Sequence, residues 1–187
     1  MKVILASSSP RRIQLFKNIF SDFLVVKPNF NESSLPLNTP HYALEESQNK
    51  AFSIKNNFSN EDLIIACDTI VYLKNKIYGK PKNIDEAMAF FNDFNNKTHQ
   101  VISGYTILYQ SKIIKKEVTS QVKFKNLNAV EIKKYLSNHE RKDKAGGYGI
   151  QDEDSNLIIE KFDGSFNNII GFPLEEIKKD LILLHVI

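Results

Sequence analysis

The segment from Leu63 to Leu73, LIIACDTIVYL, is apolar at almost every position, with Asp68 as its one charged side chain. A strand that alternates apolar and polar residues covers one face of a core, whereas a strand apolar on both faces must be covered on both. Such a strand calls for layers packed on each side of its sheet, as in an α/β domain. The rest of the chain supplies candidates for those layers. A short apolar strand is expected at 2–6, and Ser9-Pro10 reads as the N-cap and first residue of a helix whose stripe is Ile13, Phe16 and Phe20. A second strand is expected at 23–27, a proline-punctuated loop at 28–40, and a helix from His41 to about Asn57.

Beyond the long apolar strand, Asn75 marks a hairpin leading into Gly79-Lys80-Pro81. Asn83 and Glu86 form a capping-box pattern ahead of Ala87, Phe90, Phe91 and Phe94 at helical spacing. Strands at 99–109 and 112–124 are joined at Gln110-Ser111, and Asn128 with Glu131 caps a helix over 129–137. Residues 141–173 hold five of the seven glycines, with turns at 162–166 and 170–173, and an amphipathic helix with Leu174, Ile177, Leu181 and Leu184 follows. Strands interspersed with helices predict an α/β fold with a mixed sheet, and no linker or repeat divides the 187 residues, so one domain over 1–187 is expected.

Composition narrows the function classes. With 42% hydrophobic and 25% charged residues, the chain is neither disordered nor fibrous. A single cysteine excludes an internal disulfide framework and fits a reducing, cytoplasmic compartment. The apolar runs are too short to span a membrane, and the N-terminal segment has no secretory apolar region. The net charge of +3 comes from lysines scattered among acids, so a nucleic-acid partner is not expected. Of 25 basic residues only Arg11, Arg12 and Arg141 are arginines.

Those arginines matter because of where two of them fall. Ala6-Ser7-Ser8-Ser9-Pro10-Arg11-Arg12 is a strand end, a hydroxyl-rich turn and a helix start. Free backbone N–H groups and a guanidinium fork there suit a phosphate, while a capped surface helix is the plain alternative. Asp68, inside an apolar strand, needs a cation, a metal or a catalytic use, unless it only accepts backbone hydrogen bonds at a strand end. Cys67 alternates to the opposite face and is expected in the core. Lys50 and Lys80 are candidate cations, the latter stiffened by Pro81, and Glu32 could join Asp68 on a hard divalent ion. In the glycine-rich stretch 143–152, bare backbone permits close approach to a flat ligand and Gln151 offers both donor and acceptor. The four histidines show no metal-ligand spacing, no G-x-S-x-G elbow is present, and His99 reads as structural.

These motifs, in this order along nearly the whole chain, resemble the Maf family of nucleoside triphosphate pyrophosphatases. The resemblance rests on Ala6 to Arg12, Asn31-Glu32, Asn49-Lys50-Ala51 and Cys67 to Val71. It continues through Gly79-Lys80-Pro81, His99-Gln100-Val101, Asp143 to Gln151, Gly164-Ser165-Phe166 and Gly171 to Leu174. It implies a twisted mixed sheet with flanking helices, related to inosine triphosphate pyrophosphatases (a Maf/HAM1-type fold), with a cleft between two lobes, often as a homodimer. It also implies a cytoplasmic, metal-dependent enzyme that cleaves a nucleoside triphosphate to the monophosphate and pyrophosphate. The stretch Asp143 to Gln151 resembles the dTTP/UTP branch; the alternatives are 7-methyl-GTP or another modified nucleotide, or a non-hydrolysing regulator of septum formation. Carried over residue by residue, Ser8, Arg11 and Arg12 would hold the triphosphate, and Lys50 and Lys80 would stabilise developing charge. Glu32 and Asp68 would bind Mg²⁺ or Mn²⁺, with Asp68 as general base, and Gln151 would read the pyrimidine. The chain departs from the family pattern with Asn31 for a frequent Asp, Cys67 for a small residue, and Asp152 for a common Gly.

Overall fold

The computed structural model describes residues 1–29, 41–137 and 143–187. Among the described residues, seven strands form one mixed sheet. They are β1 (Val3–Ala6), β2 (Leu24–Val26), β3 (Leu63–Leu73), β4 (Lys76–Tyr78), β5 (Thr98–Tyr109), β6 (Lys112–Phe124) and β7 (Ile159–Asp163). The order is β2-β1-β3-β5-β6-β7, with β4 on β3. β1 is parallel to β2 and to β3, while β4 runs antiparallel to β3 and β7 to β6. The α-helices are α1 (Pro10–Phe16), α2 (Tyr42–Lys55), α3 (Ile84–Phe94), α4 (Ala129–Ser137), α5 (Phe166–Ile170) and α6 (Leu174–Leu183). The chain divides into two compact units: 1–69 with 103–118 and 171–187, and 70–102 with 119–170.

The first unit shows why Leu63–Cys67 is apolar throughout. Leu63, Ile65 and Cys67 enter one core with Leu5, Phe16, Phe172, Ile177 and Leu181, so this face carries α1 and α6. Ile64 and Ala66 enter another with Ile4, Ala6, Ala51 and Ile54, so the opposite face carries α2. The parallel register places Ile4 beside Ile64 and Ala6 beside Ala66. α2 lies very close to β5. A Cβ on Gly104 would fall 2.3 Å from the Leu44 nitrogen, so the side-chain-free position admits the helix backbone. Ser47, fully buried on α2, completes the seat with a 2.9 Å hydrogen bond to Thr106 of β5.

The second unit is built on aromatic packing. Phe90, Phe91 and Phe94 of α3 meet Tyr78, Phe124, Tyr135 and Tyr148. Lys74 and Asn75 both take positive φ, the hairpin turn expected before β4. Asn83 caps α3 by accepting from the Glu86 N–H at 2.8 Å, although Glu86 reaches back to the Lys82 N–H rather than to Asn83. At α4 the reciprocal box is complete: Asn128 accepts from the N–H groups of Val130 and Glu131, and Glu131 accepts from that of Asn128. His99 stacks on Phe94 with ring centroids 4.5 Å apart, and burial pushes its pKa down to about 3. It is a neutral core histidine, as the sequence suggests.

Three local expectations change. α1 ends at Phe16, short of Phe20, which is carried instead by the following turn. Residues 159–163 form β7, which takes in the first two residues of the turn expected at 162–166, and 166–170 form α5, a helix the sequence reading does not place; 164–165 and 171–173 stay irregular as expected.

Candidate active site

Asp68 has the same strand parity as Ile64 and Ala66, so the pleat of β3 directs it to the α2 face. On α2, Lys50 and Ile54 are one turn apart, and the stripe that packs Ile54 on β3 brings Lys50 level with Asp68. The Lys50 Nζ donates to Asp68 Oδ1 at 2.5 Å, with the Lys50 side chain 7% exposed and that of Asp68 16% exposed. A lysine so well covered is rarely found without a partner. The carboxylate is part-buried yet still open to a ligand.

Arg12 reaches the same place from the other face. Its Nε donates to the Gly171 carbonyl at 2.9 Å and its Nη2 to Thr69 Oγ1 at 3.2 Å, and Nη2 stands 4.0 Å from Asp68 Oδ1. Thr69 Oγ1 donates to the Gly171 carbonyl at 3.1 Å and lies 2.8 Å from Ser103 Oγ. Gly171 has φ +119°, a conformation open to glycine, and this turn aims its carbonyl at both Arg12 and Thr69. The guanidinium fork is therefore fixed by the protein itself, in an orientation lysine could not reproduce. Cys67 is fully buried, and burial pushes its thiol up to about 11, against the pull of the Arg12 charge.

The serine-rich turn contributes less than its composition suggests. Ser9 makes no side-chain cap bond; the Ser9 N–H donates to Ser7 Oγ at 3.1 Å instead, while Ser8 is exposed and Arg11 half-buried. Thus Lys50, Asp68 and Arg12 are brought together in the first unit. Lys80 and Gln151, both exposed, belong to the second. There the Gly146 N–H donates to the Gly79 carbonyl at 2.9 Å, so the turns bearing Lys80 and Gln151 are tied. Glu32 lies outside the described residues.

The glycine-rich stretch is filled by the chain's own atoms. Gly146 and Gly147, at φ +70° and +76°, pack against Val71, Phe94, Pro81 and Phe91, and the Lys144–Asp152 ion pair lies over Gly149. These glycines serve the protein's packing, in contrast to the close approach to a ligand read from the sequence.

Sequence reasoning missed Thr69, Ser103, Gly104 and Gly171 as members or supports of this cluster. Thr69 adjoins the out-of-place Asp68, and Gly104 interrupts an otherwise continuous strand; both are usable signals. Among the described residues no group of three or more His, Cys, Asp or Glu could hold a metal ion. A single part-buried carboxylate does fit Mg²⁺ chemistry, since this ion is commonly held by one or two carboxylates together with substrate phosphates.

No helix of the described residues is long and apolar enough to cross a membrane. A solved structure described as "The structure of the Staphylococcus aureus Ham1 protein" overlaps 65% of this chain and 72% of its own at 18% identity and TM-score 0.43, a likeness too slight to argue from. Sequence comparisons are far stronger. A protein of Clostridium botulinum named dTTP/UTP pyrophosphatase is 37% identical over 190 residues, covering 98% of this chain and 97% of the relative. One of the same name from Pyrococcus furiosus is 40% identical over 185 residues, covering 98% and 96%. The family model described as "Maf-like protein" matches residues 2–183, which takes in the Arg12, Lys50 and Asp68 cluster, the Gly79-Lys80-Pro81 turn and the glycine-rich stretch 143–152, so the chain belongs to that family.

Proposed function

We propose that this chain is a nucleoside triphosphate pyrophosphatase acting on dTTP and UTP, giving the nucleoside monophosphate and pyrophosphate. The observation that carries this reading is the Asp68 carboxylate held between Lys50 and Arg12, in a chain whose relatives bear the name dTTP/UTP pyrophosphatase. Water attacks the α-phosphorus, its proton passes to Asp68, and the bond from that phosphorus to the bridging oxygen breaks so that pyrophosphate leaves. Phosphoryl transfer demands positioning and charge stabilisation more than covalent chemistry, so a carboxylate among cations is enough.

Each group then has a role. Lys50 fixes Asp68 in the substrate-free chain and turns part of its charge to the phosphates when they arrive. Arg12, with Arg11 and Ser8, borders the triphosphate, and Lys80 meets the leaving pyrophosphate. Gln151 reads the pyrimidine edge. Asp68, with Glu32, would hold Mg²⁺ or Mn²⁺, which when bound supplies Lewis-acid polarisation of phosphate oxygens. The proposed compartment is the cytoplasm, in keeping with one buried thiol and no disulfide.

The test is a panel of nucleoside triphosphates assayed for pyrophosphate release with Mg²⁺ and with Mn²⁺. Fastest turnover with dTTP and UTP is expected; preference for 7-methyl-GTP, or tight dTTP binding without hydrolysis, overturns the assignment. Asp68→Asn keeps the size of the side chain and removes its basicity. It should lower kcat by about a hundredfold or more, roughly 3 kcal/mol of barrier, with circular dichroism unchanged. Near-normal turnover of that variant removes Asp68 from the mechanism.

A further inference from the structure

Asp152, the residue after the candidate base reader Gln151, is a well-covered carboxylate in a polar network of its own. Its Oδ1 accepts from Lys144 Nζ at 2.5 Å, with the two side chains 9% and 14% exposed, and its Oδ2 accepts from the Tyr135 hydroxyl at 3.3 Å. This carboxylate lies directly over Gly149. A Cβ there would fall 2.8 Å and 2.9 Å from its two oxygens and 2.9 Å from Lys144 Nζ, so the ion pair fills the space that a side chain would take. The Gly149 N–H in turn donates to the Tyr135 hydroxyl at 3.4 Å. Tyr148 hydrogen-bonds His99 Nε2 at 2.7 Å, and Gly146 is tied to Gly79. The stretch 144–152 is thus held at both ends and in its middle, and the one long polar side chain it leaves exposed is Gln151.

We propose that Asp152 is a positioning residue for base selection: its ion pair with Lys144, laid over the bare backbone of Gly149 and steadied by Tyr135, fixes the turn that presents Gln151 to the nucleobase. This rests on the reading of Gln151 as the pyrimidine reader and extends it to residues that touch no substrate. A ligand-reading amide is useful only if its backbone is fixed before the base arrives, because ordering the turn on binding subtracts from affinity. A pair with side chains only 14% and 9% exposed gives that rigidity.

The experiment compares Asp152→Asn, Lys144→Met, the double variant, Tyr135→Phe and Gln151→Ala in steady-state pyrophosphate release from dTTP, UTP and the purine triphosphates. Asp152→Asn and Lys144→Met should each raise KM for dTTP and UTP about tenfold, with kcat within about twofold of the parent. They should also lower the pyrimidine-to-purine ratio of kcat/KM, and the double variant should be no worse than either single one. Hydrogen exchange on the folded variants should be faster at Gly149 and its neighbours than in the parent. Tyr135→Phe, which removes only a hydroxyl, should shift KM and the ratio in the same direction by less, and it carries the test if the charge variants fold poorly. Unchanged KM and unchanged base ratio in a folded Asp152→Asn chain, while Gln151→Ala loses selectivity, overturns the positioning role alone. Loss of no selectivity in Gln151→Ala, or no hydrolysis of pyrimidine triphosphates by the parent, overturns the reading of the site beneath it.

Discussion

Cys67 and Asp68 are chain neighbours, yet the pleat of β3 sends the thiol into a core with Leu5, Phe16 and Phe172 and the carboxylate toward Lys50. The two side chains therefore live in different media one residue apart. Burial pushes the Cys67 thiol up to about 11, which leaves almost none of the nucleophilic thiolate near neutral pH. Native protein at pH 8 should not react with iodoacetamide over minutes, whereas the chain unfolded in guanidinium should take up one label. Rapid labelling of the folded chain contradicts the buried placement. Arginine shows the same dependence on surroundings. In a chain that uses lysine almost everywhere, Arg12 is needed because three partners must be met from one planar group: the Gly171 carbonyl, the Thr69 hydroxyl and the nearby Asp68.

α2 is the element on which Lys50 depends, and its seat is set by one missing side chain. Gly104 meets the backbone of Ala43 and Leu44 at 2.3–2.4 Å from an ideal Cβ position, and backbone cannot swing aside as a flexible side chain does. Gly104→Ala should destabilise the fold by about 2 kcal/mol or more through overpacking, lowering Tm by roughly 4–8 °C. Because the displaced helix carries Lys50, pyrophosphate release should fall even at temperatures where the variant is folded. A stable, fully active Gly104→Ala chain means α2 is free to shift. The sequence revealed helices where apolar spacing was strong, as in Phe90, Phe91 and Phe94 of α3, and their starts where Asn83 and Asn128 cap them. It concealed β7 because Ile159–Asp163 is an edge strand with four of five residues exposed, so alternation never appears. α1 looked longer because Phe20 continues the apolar spacing, although the helix has already given way to a turn that still buries aromatic rings.

For the whole molecule, legibility stops where distance along the chain begins. Asp68, Lys50 and Arg12 could each be flagged as chemically out of place in the sequence. Nothing local tells that Arg12 donates to a carbonyl 159 residues away, or that Thr69 and Ser103 complete the cluster. Those links exist only after β3 and β5 are packed, as does the burial that silences His99. That burial has a global consequence. Its folded pKa of about 3 lies below the ordinary 6.5, and no hydrogen-bond partner among the described residues meets its Nδ1. As pH falls through 6.5 the unfolded chain binds a proton that the folded chain refuses, so stability drops by about 1.4 kcal/mol per pH unit until the folded form also titrates near 3. Above 6.5 His99 contributes no pH dependence. His41 acts in the opposite sense: its hydrogen bond to Glu117 raises its pKa, so its contribution is present below 6.5 and lost as pH rises through its folded pKa. Between pH 6.5 and 5 ordinary carboxylates are still ionised, which isolates the histidines. Denaturant unfolding across that interval should show the parent losing about 1 kcal/mol per unit more than His99→Gln, a variant that keeps a partner for Tyr148 and cannot titrate, the full slope being reached only below the half-protonation point at 6.5. Parallel pH profiles for the two chains mean that His99 is protonated in the folded state, and that the core around Phe94 and Phe124 admits a charge.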